Sequence, residues 1–250
     1  MGNHRKVPLP LVNENLCIVL VNPGHDGNIG AVARSMLNFG ITDLRVVGRL
    51  GKWSEETRNR AKNAQSVLDS AKLVSTIADA TSDCSIVIGT SGKREDGNKT
   101  VMRHFLLPEE LPEKLSGTDG RVAIVFGPED KGLLNEELRM CDLLITIPTW
   151  EGYPILNLSH AVSIICFSWY VNSDTIQPTG TGNRLLDSDL RTAFRSEVSR
   201  LVESMPTKDH KRKGIEETLV RVIMRGLPKD EEIHRLLGVI TEAADAFEED

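Results

Sequence analysis

Four short stretches of this 250-residue chain hold the residue types that could do chemistry. The first is Asn28-Ile29-Gly30-Ala31-Val32-Ala33-Arg34, which sets an amide at the expected start of a helix and a guanidinium six residues on, nearly two turns along. A helix start offers free N–H groups to an anion, and a nearby arginine supplies a bidentate fork for the same phosphate. The second, Thr90-Ser91-Gly92-Lys93-Arg94, puts backbone and hydroxyl groups just ahead of two cations. The third, Gly127-Pro128-Glu129-Asp130-Lys131-Gly132-Leu133, is an acidic turn in which Gly127 permits close backbone approach and Gly132 leaves out a Cβ where the loop folds back. The fourth runs from Ile147-Pro148-Thr149 through Glu151-Gly152-Tyr153-Pro154-Ile155-Leu156 to Asn157-Leu158-Ser159. Plainer readings stand beside each: Asn28 as an N-cap with Arg34 solvated, residues 90–94 as a turn, Glu129 and Asp130 as acids favouring a helix start, and Asn157 as the opening of a capped helix. His25 and His160 have no second ligand at useful spacing, so no metal site is expected.

The elements that must position these stretches are legible in the apolar runs. Residues 16–21, 44–47, 85–89, 122–126 and 143–147 are largely apolar runs, continuous rather than alternating, as expected of strands covered on both faces. Helical patterns occupy 28–39, about 54–80 with a possible break, 131–139 and 157–170. This alternation predicts an α/β fold with a parallel sheet, and the loops of chemical interest follow its strands, where open sheets of this type bind ligands. Residues 171–183 are rich in Pro, Gly, Thr and Asn and read as a linker, after which 184–204, 213–226 and 229–246 read as helices. The expected division is therefore 1–170, a linker at 171–183, and a small α-helical appendage at 184–250.

Net charge is −6, yet residues 228–250 alone hold eight acids against two cations, so the rest of the chain sums to zero. Residues 184–225 hold ten Lys/Arg against seven Asp/Glu, and Thr207-Lys208-Asp209-His210-Lys211-Arg212-Lys213-Gly214 is a basic segment expected just before a helix. Segregated charge of this kind does not exclude a nucleic-acid partner. No apolar run reaches the ~20 residues that span a bilayer, and the opening MGNHRK is no signal peptide. Cys17, Cys84, Cys141 and Cys166 lack metal-ligand spacing and are expected to be buried reduced thiols, which fits a cytoplasmic protein. A dinucleotide-binding enzyme is disfavoured because no G-x-G-x-x-G follows the first strand; Gly24, Gly27 and Gly30 stand at another spacing.

Taken together, the Asn28 to Arg34 segment, the Gly-x-Glu-x-x-Gly-Leu pattern at 127–133 and the stretch ending Leu156-Asn157-Leu158-Ser159 resemble the SpoU (TrmH/TrmJ-type) branch of the SPOUT RNA methyltransferases. The resemblance covers about residues 15–170. It implies a C-terminal trefoil knot, S-adenosylmethionine as cofactor, and 2′-O-methylation of ribose in RNA. By resemblance, Asn28, Arg34, Glu129 and Asn157 are catalytic. Thr90, Ser91, Gly92, Gly127, Ile147, Pro154, Ile155 and Leu156 hold the cofactor, and Arg34, Lys93, Arg94 and Tyr153 meet the RNA. It also implies a homodimer, to which Phe167, Trp169 and Tyr170 could contribute unless they belong to the core. The helical appendage is most similar to that of the TrmJ-type subgroup, which implies tRNA as substrate and nucleotide 32 of the anticodon loop as target, as cytidine, uridine or both. Another tRNA position, rRNA, or an idle knotted RNA-binding module are the alternatives. Many relatives carry Ser where this chain has Ile155, so a hydroxyl near substrate or cofactor is missing.

Overall fold

In the computed structural model, which describes residues 8–10, 13–92, 105–115, 118–172, 183–184 and 186–249, the continuous apolar runs lie side by side in the middle of one parallel sheet. The chain runs β1 (Leu16–Val21), α1 (Asp26–Asn38), β2 (Asp43–Val47), α2 (Glu55–Ala61), α3 (Gln65–Asp69), β3 (Lys72–Val74), α4 (Ile77–Ala80) and β4 (Ile86–Thr90). It continues through β5 (Phe105–Leu106), α5 (Glu110–Lys114), β6 (Thr118–Asp119), β7 (Val122–Phe126), α6 (Asn135–Arg139), β8 (Leu143–Ile145) and α7 (Leu158–Val171). Then come β9 (Asn183–Arg184), α8 (Ser188–Ser204), α9 (Asp209–Arg225) and α10 (Asp230–Glu249). The seven-stranded sheet has the order β3-β2-β1-β7-β4-β8-β5, every pairing parallel.

The two faces of β1 show why its sequence does not alternate. Leu16, Ile18 and Leu20 pack on one side with Ile29, Val32 and Met36 of α1 and Val162 and Ile165 of α7. Cys17, Val19 and Val21 pack on the other with Ile77, Ala80, Leu133 and Leu138. Both faces are thus covered by helices or loops, so both sets of positions must be apolar.

Several boundaries differ from those read in the sequence, each for a local reason. The 54–80 stretch is three short helices and a strand. Lys62, at φ 53°, ends α2, and β3 is an edge strand with no fully buried residue, so it carries no apolar run. The helix expected from 131 begins only at Asn135, because the chain turns through Gly132 at φ 64° and Leu134 has extended backbone geometry. Helix α1 begins at Asp26 with His25 at its N-cap, so Asn28 is inside the first turn and is not a cap. Residues 173–182 of the expected linker lie outside the described residues, and residue 183 pairs with β6 in a separate two-stranded ribbon. The basic segment enters helix α9 at Asp209 instead of preceding a helix. The four cysteines are free and buried, with Cys17 and Cys84 Sγ atoms 3.7 Å apart.

Helices α8, α9 and α10 form their own apolar cluster around Leu186, Phe194, Val198, Val220, Met224, Ile233 and Ile240. One buried carboxylate ties it to the sheet. Asp142, at the entrance to β8, accepts from Arg191 Nε at 2.7 Å, Arg195 Nη2 at 2.6 Å and the Val87 backbone N–H at 2.8 Å. Burial pushes the Asp142 carboxyl up, but the two guanidinium groups outweigh it and hold the group below the ordinary carboxylate range. Among the described residues no helix is long and apolar enough to cross a membrane.

Candidate functional site

Strands β7, β4 and β8 are neighbours, so the loops at their C-terminal ends meet. Between them is a cavity of about 310 Å3. Thr90, Ser91 and Gly92 line it from the first loop, Gly127 to Leu134 from the second, and Ile147, Pro154, Ile155 and Leu156 from the third. All eight residues expected at a cofactor site are therefore brought together. The loops are fixed to the sheet by their own polar groups: the Thr90 hydroxyl donates to the Val125 carbonyl at 3.0 Å, and the Ser91 N–H to the Ile145 carbonyl at 3.0 Å. Those two donors serve the scaffold and are not directed at a ligand. The Thr149 hydroxyl closes the third loop by donating to the Pro154 carbonyl at 3.0 Å.

Glycine at 127 is a geometric necessity. A Cβ there would sit 2.2 Å from the Gly132 carbonyl carbon and from the Leu133 nitrogen, because the loop doubles back onto the strand end. Phe126, Leu133, Leu138, Ile145, Ala161 and Ile165 complete the walls. Apart from Leu133, which ends the glycine motif, these residues belong to no motif; they read in the sequence as ordinary core, and only their position beneath the three loops makes them a pocket floor. The result is an apolar slot rimmed by backbone amides and carbonyls, suited to a flat heteroaromatic group with polar edges.

Beside this slot the amides and the carboxylate form one chain of hydrogen bonds. Glu129 accepts from the Gly24 backbone N–H at 2.8 Å and from Asn28 Nδ2 at 2.6 Å. Asn157 Nδ2 donates to Asn28 Oδ1 at 3.1 Å, and Asn157 Oδ1 accepts the Ser159 N–H at 2.9 Å as the N-cap of α7. Residues 101 and 129 positions apart in sequence are thus held in one array. Partial burial pushes the Glu129 carboxyl up, but the bonds from Asn28 and Gly24 prevail and keep it below the usual carboxylate value. A depressed folded-state pKa stabilises the protein above the unfolded value, and that contribution is lost as pH falls through the folded one. Glu129→Gln is therefore expected to lower the midpoint of thermal unfolding at neutral pH by about 2–4 °C, roughly 1 kcal/mol for a partly exposed group. The gap should close as the wild-type carboxylate protonates; a gap unchanged at about pH 3 would contradict the assignment.

Arg34 is exposed and forms no hydrogen bond or ion pair among the described residues. It stands seven residues from Gly27 and three from Ala31, on the same stripe of α1. Tyr153 projects with 79% of its surface exposed, as does Trp150, which the sequence reading passed over. Lys93 and Arg94 lie outside the described residues. On α7, Trp169 is buried and so belongs to the core, whereas Phe167 and Tyr170 are exposed and pack against Phe39 with ring centroids 6.1 and 6.0 Å apart.

Comparison with known proteins gives a concordant result. Residues 15–167 match the model of the SpoU rRNA Methylase family. The tRNA (cytidine-2′-O-)-methyltransferase TrmJ of Methanocaldococcus jannaschii is 41% identical over 187 residues, covering 75% of this chain and 78% of that protein. The tRNA (cytidine/uridine-2′-O-)-methyltransferase TrmJ of Citrobacter koseri is 32% identical over 236 residues, covering 91% of this chain and 95% of its own length. The crystal structure of TrmJ from Z. mobilis ZM4 superposes with a TM-score of 0.73 at 27% identity, over 90% of this chain and 97% of that one.

Proposed function

The chain belongs to the SpoU rRNA Methylase family, and on that premise we propose that it methylates the ribose 2′-hydroxyl of a tRNA nucleotide, using S-adenosylmethionine. The observation that carries this reading is the Glu129–Asn28–Asn157 array set directly beside a cavity lined by every residue expected to hold the cofactor. The residues fit S-adenosylmethionine. An aliphatic floor of Ile145, Ile147, Leu156 and Ile165 suits adenine, and the backbone of the three loops supplies hydrogen bonds to its edges. Gly127 leaves room where a side chain would collide with the returning loop.

When bound, S-adenosylmethionine supplies a methyl group activated by a sulfonium. The protein's part is to present the 2′-oxygen in line and to help its proton leave. Arg34 is not the base, since a guanidinium offers five donors and no acceptor. It acts instead as a cation that clamps the adjacent phosphate and stabilises alkoxide charge, with that phosphate or a water accepting the proton. Asn28 and Asn157, locked to each other and to Glu129, fix the loop on which the nucleotide rests.

The same reading extends to four further points. Nucleotide 32 of the anticodon loop, as cytidine or uridine, is the target: matches over 75% and 91% of this chain to relatives named for cytidine and cytidine/uridine 2′-O-methylation of tRNA support the substrate and the bases, and the position rests on the resemblance to the TrmJ-type subgroup. The C-terminal trefoil knot is supported by the gathering of the β4, β7 and β8 loops around one cavity. A cytoplasmic homodimer is supported by the free, buried cysteines for the compartment and by exposed Ile164, Phe167, Tyr170 and Val171 on α7 for the interface. Division into a catalytic unit to residue 170 and a helical unit from 184 is supported by the separate apolar cluster of α8 to α10.

The test is transfer of label from S-adenosylmethionine to unmodified tRNA, followed by alkaline hydrolysis. Label is expected in an alkali-stable dinucleotide, since a 2′-O-methyl blocks attack on the neighbouring phosphodiester. Label in a free mononucleotide would place the methyl on a base and reject the reading.

A further inference from the structure

A second cavity, also of about 310 Å3, is lined by the Asn28–Asn157 pair. Its walls include both amides, Gly27 and Ser159, and two ionisable side chains, Arg60 from α2 and His160 from α7. We propose that Arg60, with His160 beside it, forms a phosphate-binding subsite for the RNA strand next to the reacting nucleotide. The inference rests on the methyltransferase reading and deepens it.

Three observations converge. None of the residues lining this cavity is acidic. Arg60 is exposed and makes no hydrogen bond or ion pair among the described residues, whereas Arg45, Arg49, Arg58, Arg121, Arg191, Arg195 and Arg200 are each paired with a carboxylate. A guanidinium kept unpaired in a polar concavity is matched by an anion that arrives with a ligand. Finally, Arg60 does not line the cofactor cavity, so the anion it meets belongs to the other substrate, and in RNA that anion is the backbone phosphate.

The fold fixes the root of this side chain. Gly30 lies under α2 so closely that a Cβ would sit 2.1 Å from the Thr57 carbonyl oxygen and 2.8 Å from Arg60 Cβ. Ser54 caps α2 by accepting the Thr57 N–H at 3.2 Å, and the Thr57 hydroxyl donates to the Asp26 carbonyl at 3.1 Å. The backbone of Arg60 is thus fixed against the helix that carries Asn28 and Arg34. Glu56, one turn earlier on α2, approaches Gly27 but forms no ion pair with Arg60 among the described residues.

The experiment uses the full chain and its Arg60→Gln and Arg60→Glu variants. It measures tRNA binding against salt, steady-state kinetics, S-adenosylmethionine affinity and oligomeric mass. Arg60→Gln is expected to raise the KM for tRNA about tenfold with kcat within about twofold. It should also flatten the log–log salt slope by about 0.7–0.9, the loss of one phosphate contact, with cofactor affinity and mass unchanged. Arg60→Glu should raise KM further. An active wild type with an Arg60→Gln variant of equal KM and equal salt slope overturns the subsite alone. A changed mass would assign Arg60 to a contact with a second copy and overturn it too. A wild type that binds S-adenosylmethionine and methylates no tRNA overturns the reading and the subsite together.

Discussion

Replacing Arg34 with alanine is expected to lower the turnover of methyl transfer by about 10²–10³, leaving S-adenosylmethionine affinity and the unfolding midpoint unchanged. The size follows from its role as a preorganised cation aimed at charge that develops only as the 2′-oxygen reacts. The lack of a structural cost follows from its setting, exposed on α1 with no partner among the described residues. Arg34→Lys separates clamp from point charge, since an ammonium keeps the charge but cannot span two phosphate oxygens. It should recover only part of the lost turnover. Near-normal turnover in Arg34→Lys would reject the bidentate clamp, and an unaffected Arg34→Ala would remove Arg34 from the chemistry.

Asp142→Ala is expected to cost about 3–5 kcal/mol of stability. The carboxylate is fully buried, and its loss strands the guanidinium of Arg191, itself nearly buried, together with that of Arg195. It also removes the acceptor for the Val87 N–H in β4. In a chain of this length each kcal/mol moves the thermal midpoint by about 2–4 °C, so a fall of roughly 10 °C is expected. The depressed pKa of Asp142 adds a pH signature: its contribution is present above the unfolded carboxylate value and is lost as pH falls through the folded one. A midpoint within about 2 °C of wild type would show that α8 does not depend on this carboxylate for its seat.

What the sequence shows of this protein follows from how local each signal is. Strands β1 and β7 are legible because burial on both faces leaves an unbroken apolar run. The loop after β7 is legible because close backbone approach demands glycine at 127. The Glu129–Asn28–Asn157 array is anticipated as a set of residues but not as a chain of bonds, since its geometry depends on three loops meeting across the sheet. Asp142 gives no warning: a single acid after Cys141 looks like any strand entrance until α8 delivers two arginines to it. Arg60 is equally silent, because its proximity to Asn28 comes from α2 lying on Gly30. Helix α7 is apolar on most of its surface, so its sequence alone could not separate buried Trp169 from exposed Phe167 and Tyr170.

Action of this site on a ribose hydroxyl of tRNA is tested by comparing two tRNA transcripts, one all-ribose and one with a 2′-deoxynucleotide at position 32. Both are bound to the protein and supplied with S-adenosylmethionine for a single turnover, and the product is mapped by mass. One methyl is expected at nucleotide 32 of the ribose transcript, with equal binding but no methylation of the deoxy transcript. Equal methylation of both, or a methyl found on a base, would contradict action on the ribose hydroxyl.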